Sequence, residues 1–589
     1  MDDKNLLFYD IEVFKYDSLV VFCDIAGNEV AHFWNTRGRK KMEEPSGFEG
    51  IAELVKGKTL VGYNNYSYDD NILKAMGDAE TSLPDWIKSI NDSIIRGEGA
   101  SVPEYIKIRT LDTMQQIDVS HPSLKQIEGN MGRSIVESSI DFNIDRPLTD
   151  RERDETLEYC RNDVRNTVEV YKLRKKSYFE VKDGLVNMLP APSETAYRWN
   201  TTTLAANILL GNDKLSQWDE LRLPEGLWRN VEGIPTDVWE MWEDCTTPAN
   251  ILGKGKSKAI NAYGCTFVFG LGGLHGAPKK PLRCKDVKHK DVASMYPSSI
   301  VRLRALGNAT DVYDQMRQER IKIKHSDPVK ASALKLILNS VYGNFKNKYS
   351  SLFNPLASAT VCIYGQIALF SLCRDLFKAG YKIINANTDG VVYDNNPNLN
   401  DADEEICKKW EQDFPGYLLE TDYYTDWIQK DVNNYIAREP NGKITVKGGD
   451  VNKYDSNKFF SNNSARIIQI AMVENLLNGI PILNTLMDHR NEPMLWQYIL
   501  KAGNTYLGVQ DAAGNWQNKV NRVFAASDLV EHTKLYKIRS DGGQVNFPDV
   551  PEKMFLWNDD VNDIEDFASK VDLEHYYNVV HKKLEGWPK

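Results

Sequence analysis

Cysteine is scarce in this sequence, and its spacing gives no sign of a sulfur-ligated metal centre. Eight cysteines occur among 589 residues, and none of them stands in a Cys-x-x-Cys pair. The pattern therefore gives no signal for a zinc ribbon or an iron–sulfur cluster. Scattered single cysteines are typical of buried thiols in a reducing compartment.

The sequence also lacks the features of secreted and membrane proteins. Its first residues, Met-Asp-Asp-Lys, do not form the apolar core of a signal peptide. We find no run of 18 or more apolar residues, no internal repeat and no low-complexity tract. We therefore expect a protein of the cytoplasm that makes no contact with a membrane.

Positive charge is low overall, but it is concentrated in two blocks. The formal net charge is -11, which argues against a protein that coats nucleic acid with a uniform positive field. Residues 317–348, however, carry eight Lys or Arg against two acids, and residues 279–290 carry six against one. We expect these blocks to lie where a phosphate chain would run.

Two acidic residues flank a basic helix in the middle of the chain. Asp291 ends a predicted strand and is followed by a Tyr-Pro turn into a helix. Asp389 lies on a predicted tight hairpin. The intervening helix presents Lys335, Asn339 and Tyr342 on one face, at i, i+4 and i+7. This order of acid, cationic helix and acid is typical of a two-metal site for phosphoryl transfer.

A second group of acidic residues begins near the amino terminus. Asp10 and Glu12 are two apart on an apolar predicted strand, so their side chains share one face. A second predicted strand, residues 59–63, runs into a segment that contains Asn65 and Asp69. The pattern indicates carboxylates gathered at the edge of a sheet.

A predicted helix adds a further acid to this group. Thr149 and Glu152 have the spacing of a capping box at its start. Tyr159 and Asp163 are four apart on that helix and therefore lie on one face. Four carboxylates can hold two divalent ions about 3.5–4 Å apart. Their hard oxygen ligands favour Mg²⁺ or Mn²⁺ over zinc.

Three central segments resemble the motifs of family B DNA polymerases, in the order of that family. Residues 291–298 resemble the first palm motif, and residues 335–343 resemble the fingers motif Lys-x-x-x-Asn-Ser-x-Tyr-Gly. Residues 387–390, Asn-Thr-Asp-Gly, resemble the Asp-Thr-Asp-Ser hairpin and depart from it at Asn387 and Gly390. The first Asp of that hairpin is not the essential metal ligand of the family, so the resemblance implies that Asn387 alters fine tuning more than activity.

Other segments extend the resemblance. The Asp10/Glu12, Asn65/Asp69 and Tyr159/Asp163 pairs resemble the motifs of the proofreading 3′→5′ exonucleases attached to these polymerases. Residues 269–276 resemble the Tyr-x-Gly-Gly segment that joins the two halves in some members. Residues 432–435 resemble the Lys-x-Tyr hairpin that grips the primer end, with Asn433 in place of the Lys.

The resemblance implies a multidomain chain of α/β and α+β class. An RNase H-like exonuclease domain would precede a right-hand polymerase of palm, fingers and thumb. The expected boundaries are 1–175 for the exonuclease, 176–264 for a connector of unknown role, 265–310 for the first part of the palm, 311–345 for two fingers helices, 346–450 for the second part of the palm, and 451–589 for the thumb and carboxy-terminal region.

The resemblance also implies the site residues. The implied catalytic residues are Asp291 and Asp389 for nucleotidyl transfer, and Asp10, Glu12, Asp69, Asp163 and Tyr159 for the exonuclease. The implied metal-binding residues are Asp291, Val292, Asp389, Asp10, Glu12, Asp69 and Asp163, with two Mg²⁺ per active site and Mn²⁺ as an alternative. The implied substrate-binding residues are Arg320, Lys324 and Lys335 for phosphates, Tyr342 under the nascent base pair, Tyr296 against a 2′-hydroxyl, and Asn339.

The implied partners are primer-template DNA, dNTPs and replisome proteins. Only 44 residues separate Asp291 from Lys335 and 54 separate Lys335 from Asp389, which leaves no room for the segments that dock a priming protein in some phage relatives. We therefore expect a minimal bacteriophage enzyme without a protein primer, monomeric and located in the host cytoplasm. The alternative is a 3′→5′ exonuclease whose polymerase half is inactive and only binds DNA.

Overall fold

The computed structural model describes residues 3–36, 50–76, 84–98, 108–456, 458–462 and 464–588. The strands of these residues form four sheets. The first sheet lies in the amino-terminal region, the second in the centre of the chain, and the other two near the carboxy terminus.

The amino-terminal region forms a five-stranded mixed sheet. Its strands are β1 (Leu6–Val13), β2 (Asp17–Cys23), β3 (Glu29–Thr36), β4 (Thr59–Gly62) and β5 (Arg109–Asp112). Its helices are α1 (Ile51–Val55), α2 (Asp69–Met76), α3 (Pro84–Ile95), α4 (Leu124–Asn130) and α5 (Asp150–Arg174). The strand order is β3-β2-β1-β4-β5, antiparallel from β3 to β1 and parallel from β1 to β5. This is the predicted RNase H-like arrangement.

Helix α5 is fixed at its start by a capping box and along one side by the sheet. The Thr149 side chain accepts from the Glu152 amide, and the Glu152 carboxylate accepts from the Thr149 amide, as predicted. Cys160 and Val164 are buried in the same core as Phe8 of β1. Because these residues face the sheet, the acids of α5 and β1 come together.

A connector of three helices follows, α6 (Glu180–Asn187), α7 (Thr201–Leu210) and α8 (Thr236–Cys245). Five tryptophans of this stretch are predicted from the sequence to pack in the core rather than to stack on bases: Trp199, Trp218, Trp228, Trp239 and Trp242. Trp239 and Trp242 are buried, and their ring centroids lie 5.1 Å apart. These two side chains therefore pack inside the protein.

The central region is a nine-stranded sheet in which every neighbouring pair is antiparallel. Its strands are β6 (Lys258–Ala262), β7 (Cys265–Phe269), β8 (His275–Ala277), β9 (Leu282–Val292), β10 (Ile383–Asn387), β11 (Gly390–Asp394), β12 (Leu419–Asp431), β13 (Asn434–Arg438) and β14 (Ile444–Lys447). The order is β14-β13-β12-β9-β11-β10-β8-β7-β6. Its helices are α9 (Met295–Arg302), α10 (Thr310–Ile323), α11 (Pro328–Asn344), α12 (Pro355–Lys378) and α13 (Ala402–Asp413).

Helix α12 is the core helix of this region. By length and composition alone it could cross a membrane, but 94% of its most apolar window is buried inside the protein. Phe370, for example, packs on Phe267 of β7 with ring centroids 5.1 Å apart. Ser, Thr, Gln and Gly residues interrupt the apolar run, so this segment does not contain 18 consecutive apolar residues.

The carboxy-terminal region combines two small antiparallel sheets with helices. Its helices are α14 (Arg466–Asn478), α15 (Ile482–Asp488), α16 (Phe567–Lys570) and α17 (Leu573–Leu584). Its strands are β15 (Tyr498–Lys501), β16 (Gly508–Asp511), β17 (Trp516–Gln517), β18 (Val520–Ala525), β19 (Leu535–Ile538), β20 (Gln544–Asn546) and β21 (Met554–Leu556). Together with the first two sheets, this architecture confirms the predicted multidomain α/β and α+β class.

The sequence also predicts that Thr310 or Asp311 caps α10 and that Ser464 caps α14, and both predictions are wrong. Helix α10 starts without a side-chain cap, because the Asp311 carboxylate instead pairs with Arg304 at 3.0 Å. The Ser464 hydroxyl does not cap α14 but accepts from the Ile499 amide at 2.9 Å. It therefore ties the start of α14 to strand β15.

Part of one basic block also differs from its prediction. Lys288 and Lys290 of β9 are buried and do not line a path for phosphates. The Lys288 ammonium lies 3.0 Å from carboxylate oxygens of Asp401 and Asp403, and the Lys290 ammonium lies 2.6 Å from Glu404. These ion pairs hold β9 against the start of α13.

We predict that Lys288→Met destabilises the protein by about 3–5 kcal/mol, because removing one partner leaves a buried charge uncompensated. Asp403 is fully buried. Hydrogen bonds from Tyr393 and then from Lys288 hold its pKa below the usual range, and the variant would remove the second of these donors. The measurement is urea unfolding, with Lys285→Met on the exposed part of the same strand as the matched control. Equal stability of the two variants would contradict the role of this ion pair.

Candidate active sites

The amino-terminal acids converge at the end of the first sheet. Asp10 and Glu12 lie on β1, Asp69 is the first residue of α2, and Asp163 lies on α5. Glu12, Asp69 and Asp163 are buried. Burial and the neighbouring Asp163 raise the pKa of Asp10 to about 7, and burial with Asp10 nearby raises the pKa of Glu12 and of Asp69. The cluster thus concentrates negative charge that a divalent cation would neutralise.

The ligand atoms are closest together at the β1 end of this cluster. Among the described residues, the group of three potential ligands within 4.8 Å of one another is Asp10, Glu12 and Cys160. The Cys160 Sγ lies 3.9 Å from an Asp10 carboxylate oxygen, and burial raises the pKa of its thiol. A protonated thiol is a poor ligand, so the carboxylates of this group fit a hard cation such as Mg²⁺.

A lysine that sequence reasoning missed completes the cluster. Lys125 of α4 donates from Nζ to the Asp163 carboxylate and to Glu128 at 3.2 Å. Its ammonium lies 4.7 Å from the centre of the Tyr159 ring. The capping box of Ser123 and Gln126 is a local signal for the helix, but only tertiary packing brings the lysine to Asp163.

Asn65 and Asp69 lie in one tight turn but have different surroundings. Asn65 is fully buried and donates from Nδ2 to Asp70 at 2.8 Å. Asp70 also accepts from Tyr9 and Thr110, so its carboxylate is committed to holding the turn. This arrangement leaves Asp69 as the acid of the turn that faces the cluster.

The central site is formed by three adjacent antiparallel strands. Gly390 of β11 is the register partner of Asp291 on β9, and the backbone amide of Val292 donates to the Asp389 carbonyl at 2.7 Å. The Asp291 and Asp389 side chains are therefore neighbours. Burial and the charge of Asp389 raise the pKa of Asp291 to about 7. Val292 itself presents a buried side chain, so only its main chain is available to a metal.

A third strand brings an acid that the motifs did not mark. Glu420 of β12 is the register partner of Asp291 on the other side of β9. Its charge, with that of Asp422, contributes to the raised pKa of Asp291. Glu420 and Asp422 are alternate residues of β12, so their side chains share one face. This local spacing does not show that β12 lies beside β9.

The Asn387 departure from the hairpin motif has a local explanation. Its Nδ2 donates to the Val432 carbonyl at 3.1 Å and to the Asn433 side chain at 3.3 Å. An aspartate could not donate these bonds. Asn387 therefore ties the β10–β11 hairpin to the β12–β13 turn, the segment that resembles the primer-gripping hairpin.

Gly390 and Gly273 allow close approach at this hairpin. A Cβ on Gly390 would lie 2.3 Å from Nε2 of His289 and 3.3 Å from an Asp291 carboxylate oxygen. A Cβ on Gly273 would lie 2.9 Å from the Thr388 Cα. The glycine-rich segment and the His289 ring therefore fill the space where side chains would otherwise stand, and they fix the hairpin.

Three neighbouring helices carry most of the predicted substrate-binding residues. Tyr296 lies on α9, Arg320 lies on α10, and Lys324 directly follows α10, while α11 carries Lys335, Asn339 and Tyr342. Tyr296 and Tyr342 stack with ring centroids 4.2 Å apart and an interplanar angle of 5°. Arg320 reaches the Ser294 hydroxyl at 3.4 Å. Three further members of the set, Lys324, Lys335 and Asn339, are exposed. The structure thus brings the two tyrosines together and leaves the basic side chains open to a ligand.

Comparisons with known proteins were made by family, sequence and structure. No protein-family model matches the chain. A 205-residue stretch, 34% of the chain, is 24% identical to DNA polymerase 1 of Sulfolobus acidocaldarius and covers 22% of that protein. A 529-residue stretch, 85% of the chain, is 20% identical to a DNA polymerase of Archaeoglobus fulgidus and covers 63% of it. The matches thus span less than two thirds of either relative.

Among solved structures, the family B DNA polymerase of the hyperthermophilic archaeon Pyrobaculum calidifontis aligns with 98% of this chain and 77% of its own, with a TM-score of 0.43 and 14% identity. The sequence matches confirm the relationship to DNA polymerases that the motifs indicated: the chain is a homologue of archaeal DNA polymerases.

Proposed function

We propose that the protein is a DNA-directed DNA polymerase that extends a primer 3′-hydroxyl with dNTPs, and that its amino-terminal site is a 3′→5′ proofreading exonuclease. The observation that carries the proposal is the convergence of Asp291 and Asp389 beside the open basic helix pair. The proposed domain boundaries remain those expected from the sequence. The proposed partners are primer-template DNA, dNTPs and replisome proteins.

In the proposed polymerase site, the protein positions charge and bases. Asp291, Asp389 and the main chain of Val292 would hold Mg²⁺, which supplies Lewis-acid stabilisation of phosphate charge. Lys335, with Arg320 and Lys324, would attract and neutralise the triphosphate of a dNTP. The stacked pair of Tyr296 and Tyr342 offers a flat face to the nascent base pair, where its bulk would exclude a 2′-hydroxyl.

In the proposed exonuclease site, Asp10, Glu12, Asp69 and Asp163 would hold the same type of cation. Burial raises the pKa of Asp163, and Lys125 opposes that rise and orients the carboxylate through its hydrogen bond. Tyr159 would orient the attacking water or the scissile phosphate, because its ring is held beside Lys125. The buried surroundings strengthen each of these electrostatic contacts.

The remaining expectations form part of the same proposal: a short bacteriophage enzyme, monomeric, without a protein primer, in the host cytoplasm. The alternative, an exonuclease with an inactive polymerase half, is disfavoured by the geometry. Asn387 makes hydrogen bonds that hold the hairpin, and Gly390 accommodates His289, so both departures from the motif have structural roles.

Separate substitutions should distinguish the two sites. We expect Asp389→Asn to lower primer extension about a thousandfold or more and to leave primer shortening intact, since a cation ligand contributes several kcal/mol. Asp10→Asn should do the reverse. A 5′-labelled primer on a longer template, with Mg²⁺ and with or without the four dNTPs, gives both readouts in one gel. A single substitution that removed both activities would contradict the two-site proposal, and shortening in both lanes of the unaltered protein would favour the exonuclease-only alternative.

Divalent ions should stabilise the protein more at high than at low pH. The raised pKa of Asp10 and Asp291, about 7 in the folded state, means that the folded metal-free protein binds more protons than the unfolded chain between about pH 4 and pH 7. The contribution of these two groups to stability therefore falls as pH rises through that window. The ionised carboxylates then bind Mg²⁺, which adds about 2.7 kcal/mol when the ion is at 100 times its Kd.

The measurement is the Tm increase caused by saturating MgCl₂ at about pH 8 and about pH 5.5, with NaCl of equal ionic strength as the control. The double variant Asp10→Asn/Asp291→Asn should show a much smaller difference between the two pH values. An equal Tm increase at both pH values in the unaltered protein would contradict the assigned ligands.

Restoring the family's serine at position 390 should impair this protein. We expect Gly390→Ser to cost about 1–3 kcal/mol of stability, because the new side chain overlaps the His289 ring. It should also slow extension, since Asp291 lies beside the same point. The double variant Gly390→Ser/His289→Ala should recover part of both losses. Urea unfolding and extension rates test this, and strictly additive losses would contradict the contact.

A further inference from the structure

A fully buried arginine connects the carboxy-terminal region to the amino-terminal region. Arg522 of β18 is 0% exposed. Its guanidinium donates to the Gln497 side chain at 2.8 Å and to the Asp559 carbonyl at 2.5 Å within the carboxy-terminal region. It also donates across the junction to the carbonyls of Gly129 at 3.3 Å and Arg133 at 2.7 Å. One side chain thus donates hydrogen bonds to four acceptors.

These acceptors include the last turn of α4 and the segment after it. A cation is favourable at the carboxyl end of a helix, where carbonyl groups lack partners inside the helix. Burial lowers the pKa of Arg522 to about 10, so the group stays charged at neutral pH. A buried charge is costly unless its hydrogen bonds are made, so Arg522 fixes the distance between β18 and α4.

Other contacts make the junction specific. The Ile135 amide donates to the Asn558 carbonyl at 2.7 Å, and the Glu137 carboxylate accepts from the amides of Lys519 and Val520 at 2.8 and 2.9 Å. Ile135 also packs with Ile499 and Val520. These bonds hold the chain on the carboxyl side of α4 against β15 and β18.

The same helix carries Lys125 at its other end. From the junction, Arg133 donates to Asn166 at 2.9 Å, Asn166 donates to Glu128 at 2.7 Å, and Glu128 accepts from Lys125 at 3.2 Å. Lys125 in turn donates to Asp163. A continuous set of hydrogen bonds therefore runs from the carboxy-terminal region to the acid cluster.

We infer that Arg522 is a positioning residue of the amino-terminal nuclease: it anchors α4 so that Lys125 reaches Asp163. This inference rests on the proposed exonuclease function. Arg522 lies outside the acid cluster and acts only through α4. The contacts described for Asp291 and Asp389 involve neither α4 nor β18, so the inferred effect is selective for the nuclease.

The test compares Arg522→Met with Arg466→Met. Arg466 is a suitable control because its guanidinium also donates to two backbone carbonyls, of Lys453 and Tyr454, but within the carboxy-terminal region. The substrate is 5′-labelled single-stranded DNA with Mg²⁺. We expect Arg522→Met to lower the kcat of shortening about 10- to 100-fold, the size typical for residues that orient a metal site from outside. KM and primer extension should change little.

Coupling to Lys125 separates positioning from general destabilisation. Arg522→Met added to Lys125→Met should lower kcat no further than Lys125→Met alone, because both remove the same contact. Multiplying effects, or equal losses of extension and shortening, would overturn the inference. Arg466→Met should retain the nuclease kcat, and a loss equal to that of Arg522→Met would also overturn it.

Hydrogen exchange gives a readout that does not depend on activity. In Arg522→Met the amides of residues 124–137 should exchange faster than in Arg466→Met, while those of β9 and β11 stay protected. Unchanged exchange in residues 124–137 would overturn the anchoring role even in an active nuclease. If the unaltered protein shortens no DNA, the proposed exonuclease and the positioning role are both contradicted. Faster exchange in Arg522→Met would then show only that Arg522 anchors α4.

Discussion

Both candidate sites depend on holding carboxylates close together in surroundings that disfavour their charge. Burial, and then the charge of neighbouring acids, raises the pKa of Asp10 and of Asp291 to about 7. Side chains alone would move apart, so the backbone must impose the proximity. Strand β1 does so by placing Asp10 and Glu12 on one face. The register of β9 with β11 does so by placing Asp291 opposite Gly390, next to Asp389.

The two sites handle this charge in different ways. In the amino-terminal site a lysine from another element, Lys125, enters the cluster and binds Asp163. In the central site the buried lysines of β9 point away and pair with acids at the start of α13. The predicted phosphate-binding residues Arg320 and Lys335 lie on α10 and α11, and Lys324 directly follows α10. The central acids are therefore assembled by the sheet itself, whereas the amino-terminal cluster also requires a correctly placed helix.

Local spacing explains which parts of this arrangement could be predicted from sequence. Asp10 with Glu12, and Tyr159 with Asp163, each lie within one element, so their shared faces follow from strand or helix periodicity. Lys125, Glu420 and Arg522 act across elements whose proximity depends on tertiary packing, and no local pattern marks them.

Because Lys288 and Lys290 lie in a basic block, the sequence predicts the same contact with phosphates for them as for Lys335. Strand alternation distinguishes them, because Asp291 lies on the opposite face of β9 from Lys288 and Lys290. Once Asp291 is assigned to the site, these two lysines must face away from it. The same argument places His289 on the site face, where Gly390 leaves room for its ring.

The contacts of Arg522 constrain the order in which parts of the molecule can form. Arg522 and Gly129 are separated by 393 residues, so their contact forms only after the chain has been synthesised beyond residue 522. Strands β9 and β11, in contrast, pair across about 100 residues and can form earlier. If α4 depends on Arg522, the acid cluster becomes complete last, when the carboxy-terminal region is in place. An acid cluster assembled in this order is not complete before the sheet that carries Asp291 and Asp389 has been made.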